Sequence, residues 1–130
     1  MTLTLEREQE FVNQFHYDAR NYEWEKENGT PETNLNVQFQ LIPVDQLEKA
    51  NEGDTGLFAT LTFLIPLENI VLSGFVSQLN YVRGRVVEEQ TELEQEEMAQ
   101  IAAPLFDILK RLVYETTEVA LDQPGINLEF

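Results

Sequence analysis

The sequence has no cysteine. That excludes a disulfide framework, a thiolate metal site and a cysteine nucleophile, and it suits a reducing compartment. Bases are scarce: eight Lys and Arg stand against 24 Asp and Glu, for a formal net charge of −16. Phosphate repels such a surface, so neither nucleic acid nor an anionic membrane is an expected partner. The single histidine, His16, has no His or Cys companion and reads as an ordinary strand imidazole, not a ligand or general base. The N-terminus lacks a basic region followed by an apolar run, so no signal peptide is expected. No stretch approaches the roughly 18 uncharged apolar residues of a membrane span. The expected location is the cytoplasm.

Catalytic signals are missing too. There is no P-loop, dinucleotide fingerprint or G-x-S-x-G elbow, and the loop Asn51–Gly56 lacks the order of a calcium loop. Carboxylates are too numerous for any pair to single itself out as an acid–base couple. The expectation is a binding protein, with no enzymatic activity, cofactor or metal.

What is present is enough for a core. The chain has 130 residues, 42% of them hydrophobic, which fits one globular domain over residues 1–130. Residues 1–7 read as a loose lead or short strand. Phe11, Phe15 and Tyr17 share odd positions and predict a strand with one aromatic face. The aromatics then move to Tyr22 and Trp24, a phase change that predicts a bulge near Asp18–Arg20. In Asn34–Leu41 the residues Leu35, Val37, Phe39 and Leu41 alternate with amides, as in an antiparallel sheet buried on one side. Leu57–Ile65 and Ile70–Val82 are apolar on both faces and read as central strands, or as strands whose second face meets another subunit.

Arg83-Gly84-Arg85 reads as local relief of acid repulsion, or Gly84 as the site of a bulge late in the strand. Thr91 and Glu94 have capping-box spacing, and the glutamates from Glu88 to Glu97 read as a solvated face. A break is expected near Ala102–Ala103, because Pro104 is tolerated at a helix start but not deep inside. Beyond it Leu105, Ile108, Leu109, Leu112 and Val113 continue one helical stripe from Ile101. That helix is expected to reach about Leu121, with Gln123-Pro124-Gly125 as its stop and Ile126–Phe130 as an extended tail. Strands first and helices last make an α+β fold: a four-stranded antiparallel sheet followed by two helices packed on one face.

Two strings and the order of elements carry a resemblance. Pro31-Glu32 followed by Leu35 and Val37, and Pro104-Leu105-Phe106 with the following helix and Ile126-Asn127-Leu128-Glu129-Phe130, resemble the export chaperone SecB. The chain is most similar to a small acidic SecB-like family of unknown function from Gram-positive bacteria. The resemblance implies subunits associating through strand edges and helices into dimers or tetramers, and an apolar groove for unfolded polypeptide. Of the positions matching SecB's acidic contacts with the SecA motor, Gln14, Asp18, Leu72 and Gly74, only one is acidic. The function expected is ATP-independent binding of unfolded or partly folded polypeptide, with Phe15, Tyr17, Tyr22, Trp24 and Phe75 as client contacts. The alternative is an adaptor with one dedicated folded partner.

Overall fold

The computed structural model describes residues 4–121 and 124–128. It contains β1 (Leu5–Arg7), β2 (Phe11–Ala19), α1 (Tyr22–Asn28), β3 (Asn34–Ile42), β4 (Thr55–Pro66), β5 (Ile70–Val82) and α2 (Gln95–Leu121). The fold is α+β with one antiparallel sheet. β3, β4 and β5 are neighbours in that order, and β1 and β2 lie one after the other along the far side of β5. The strands number five, not four, because the β5 edge is covered by an interrupted strand. The sheet is still four strands wide, with β4 and β5 central as expected.

One face carries the core. Leu57, Leu61 and Phe63 of β4 and Leu72 and Val76 of β5 are fully or almost fully buried there. Ile101, Leu105, Leu109 and Val113 of α2 meet them at four-residue spacing, the stripe of a helix lying on a sheet. Leu35, Val37, Phe39 and Leu41 flank this core from β3.

The two helices are not the expected pair. Tyr22 and Trp24 belong to α1, not to the end of a bent strand. Asn21 caps it, its side chain accepting from the Trp24 N–H at 3.1 Å. Nor does Pro104 break α2, which is continuous through it. Proline has no N–H to give the carbonyl four residues back, that of Gln100. The Arg7 guanidinium donates to that carbonyl at 2.5 Å instead.

The capping box also sits elsewhere, between Glu89 and Glu92 on a short 3-10 turn, Gln90–Glu92. Glu97 is not part of a solvated face. It is buried, accepts from the Glu94 N–H at 3.0 Å and pairs with Arg85 at 2.5 Å. The Glu94 N–H holds its carboxyl below the usual range, with Arg85 adding to the effect.

The bulge in β2 falls between Val12 and Gln14, not near Asp18. It splits the expected aromatic face. Phe11 stands opposite Ser77 on the outer side, whereas Phe15 stands opposite Gly74 on the core side, its ring 6.2 Å from that of Phe63. Gly74 makes this possible. Its φ of +149° disfavours any side chain, and a Cβ there would collide with the Gln14 carbonyl oxygen.

After α2, the Ile126 N–H donates to the buried Thr117 hydroxyl at 2.8 Å and Leu128 rejoins the core. Gln123, Glu129 and Phe130, parts of the expected stop and tail, lie outside the described residues.

Candidate peptide-binding surface

α1 is short and would not hold its shape alone. Arg20, just before it, fixes it to the β4–β5 turn. The guanidinium pairs with Glu25 of α1 at 2.5 Å and donates to the Leu67 carbonyl at 2.9 Å. Its own N–H donates to the Asn69 carbonyl. Both members of the pair are largely buried. The hydrogen bonds that Arg20 donates to Glu25 draw the Glu25 carboxyl below its usual pKa and raise that of Arg20. The Tyr22 hydroxyl donates to the Glu68 carbonyl, and the Arg20 guanidinium lies 4.5 Å from the Tyr22 ring centre.

This anchoring leaves two large side chains in solvent: Trp24 is 57% exposed and Tyr22 51%. Tyr17, at the end of β2, is 42% exposed and opens onto α2, where it lines a depression of about 340 Å³ with Glu115, Thr116, Val119 and Ala120. Of the five expected contacts, these three are solvent-facing on β2 and α1. Phe15 is half-buried against Phe63, and Phe75 is half-buried on the opposite, outer face beside Thr62 and Gln14. The sheet therefore separates Phe75 from Phe15 and Tyr17.

Val119 was not among the expected contacts, yet it is 81% exposed beside Tyr17. The sequence does carry a signal for it. Val119 lies off the buried stripe Leu105, Leu109, Val113, Thr117, and an apolar residue off the stripe has no core to enter.

A cleft of about 500 Å³ lies between the end of β3 and Val86–Glu88. Its buried carboxylate, Asp54, is taken up by structure. The Gly84 N–H, Arg83 and the Asn51 N–H lower its pKa to about 2. Arg83 also pairs with Glu6. Arg83 and Arg85 thus tie the sheet end to β1, to the Asn51–Asp54 turn and to the start of α2, a larger role than charge relief. Among the described residues, no group of three His, Cys, Asp or Glu could hold a metal ion, and no helix is long and apolar enough to cross a membrane.

Leu72 and Gly74, matched in sequence to outer acidic positions of SecB, are on the core face here; Gln14 and Asp18 are on the outer face.

Residues 3–130 match the family described as Protein of unknown function (DUF1149). A protein of unknown function from Streptococcus agalactiae has the same fold at a TM-score of 0.90 and 51% identity, each chain covered over 100% of its length. A more distant match, with a TM-score of 0.56 and 12% identity, covers 97% of this chain and 90% of the other. It is the Mycobacterium tuberculosis Rv1957 SecB-like chaperone in complex with a ChAD peptide from the Rv1956 HigA1 antitoxin. At that identity the likeness establishes a SecB-like fold. No curated protein matches the chain.

Proposed function

The chain belongs to the DUF1149 family, and from that premise we propose a SecB-like, ATP-independent binder of unfolded or partly folded polypeptide, acting in the cytoplasm without a catalytic step or cofactor. The observation that carries this reading is the exposure of Tyr22 and Trp24 on α1, which the Arg20–Glu25 pair fixes to the sheet, and of Tyr17 on β2, which is paired with β5. Rigid aromatics give contact area at little entropic cost and accept many apolar sequences. Val119 extends the surface onto α2. Phe15 and Phe75 are left out, because one faces the core and the other the far side of the sheet.

Charge fits the same reading. Arg20, Arg83 and Arg85 are engaged in internal ion pairs, so the excess carboxylates dominate the exterior. Such a surface attracts basic unfolded chains and opposes non-specific self-aggregation. The structural neighbour's complex with a peptide supports peptide capture by this fold.

Light scattering of a denatured, aggregation-prone client tests the proposal. Suppression by a small molar excess of the protein is expected. No suppression at several-fold excess, in low and in high salt, defeats it. A second reading, an adaptor with one dedicated partner, draws on the neighbour's peptide coming from a single antitoxin. Affinity capture separates the two: one stoichiometric partner favours the adaptor, a broad client set the chaperone.

A further inference from the structure

The outer face of the sheet has a composition at odds with the rest of the chain. A quarter of all residues are charged. Yet the outward positions of β3 are the amides Asn34, Asn36, Gln38 and Gln40. Across from them β4 presents Phe58, Thr60, Thr62 and Leu64, and β5 presents Ser73, Phe75, Ser77 and Leu79. On β2 the row ends are Phe11, Gln14 and His16. These rows hold no Asp, Glu, Lys or Arg. Charge returns at the borders, with Asp18 at one end and, at the other, Glu6, paired with Arg83, and Glu8, which accepts from the Tyr81 hydroxyl and lies 3.4 Å from Lys49.

We propose that this outer face pairs with the same face of a second copy of the chain, sheet against sheet. Depletion of charge with aromatic enrichment marks the centre of an interface. A molecule of formal charge −16 repels its own copies everywhere except through a neutral face. Amides and hydroxyls both donate and accept, so they are complementary to themselves under the two-fold symmetry of an isologous contact. Phe11, Phe58 and Leu79 line a hollow of about 330 Å³ together with Glu8, Gln9, Asn13, Ser77 and Gln78, a place for a partner's amide or hydroxyl side chain.

The size suffices. Eleven residues of β5 at roughly 3.3 Å each, and four strands at roughly 4.8 Å, give a footprint of about 600–700 Å². Two copies then bury about 1,200–1,400 Å², inside the range of stable interfaces. The dimer leaves Tyr17 and Val119, on the α2 side, free. It does not rest on the client-binding reading.

Sedimentation equilibrium of the full chain tests it, with Thr62→Lys and Thr62→Glu at the exposed centre of the face and Val119→Lys as a control on the helix side. The wild type and V119K are expected to be dimers, with association strengthening as salt screens the residual repulsion. Both Thr62 variants are expected to weaken association at least about tenfold. A net-charge effect alone would move those two variants in opposite directions. A wild type that stays monomeric near about 100 µM overturns the proposal. So does a dimer that tolerates both Thr62 variants, or one lost only in V119K. Circular dichroism checks folding, and Gln38→Lys with Gln38→Glu replaces the pair if either Thr62 variant unfolds.

Discussion

The Arg7 guanidinium donates at 2.5 Å to the carbonyl of Gln100, the acceptor that Pro104 leaves without a helical donor. A side chain from the first strand thereby repairs a defect in a helix more than ninety residues away. Arg7→Ala is expected to cost about 1 kcal/mol, the net worth of such a bond in a solvent-accessible place. Pro104→Ala restores the N–H and is expected to stabilise by about 1–2 kcal/mol, less than the full proline penalty because the ring also packs. In the P104A background R7A should cost little. A double-mutant cycle in urea checks the coupling, which vanishes if the two residues act independently.

Asp54 makes stability depend on pH at the acid end. Its pKa falls from an ordinary 3.8 to about 2, chiefly through the Gly84 N–H and then Arg83. A depressed carboxylate contributes stability that is complete above the unfolded value and is lost as pH falls through the folded one. Asp54→Asn is therefore expected to lower Tm at pH 6, with the gap to wild type closing between pH 4 and 2. Thermal melts across that range measure the gap.

Gly74→Ala is expected to destabilise by at least about 2 kcal/mol, since a Cβ meets the Gln14 carbonyl and the backbone sits where side chains are strained. Gly84 also has positive φ, but a Cβ there meets nothing within 4 Å, so Gly84→Ala should cost less, about 1 kcal/mol. Urea unfolding of the two variants side by side reads the difference.

These sites show where the sequence was legible. The alternation of Leu35, Val37, Phe39 and Leu41 and the stripe from Ile101 to Val113 each follow one period with one buried face, and such a period is visible in the sequence. α1 escaped because seven residues are too few to display a helical period. Its signals are the Asn21 cap and the Arg20–Glu25 pair, and the latter looks like two more charges in a charged chain. The break expected at Pro104 reflects local propensity. The apolar stripe continues on both sides of the proline, Arg7 supplies the missing donor, and tertiary packing prevails. Phe11 and Phe15 share parity in sequence but not in space, because the bulge that separates them is fixed by Gly74, on another strand. Of the candidate surface, the aromatic residues were visible in sequence. Which of them face solvent depended on contacts across the sheet.

Trp24→Ala is expected to leave stability within about 0.5 kcal/mol of wild type, as for an exposed side chain away from the core. The same substitution should weaken client binding about tenfold if the aromatic is a principal contact. Chemical denaturation and a competition assay with a labelled unfolded peptide separate the two effects.

The central claim is that unfolded polypeptide is captured on the aromatics of β2 and α1. Trp24 is the single tryptophan of the chain, so its fluorescence reports that surface and nothing else in this protein. Titration with a tryptophan-free, permanently unfolded basic client should give a saturable blue shift, as the indole leaves water for apolar contact. An unchanged spectrum under conditions where the client demonstrably binds would contradict the assignment.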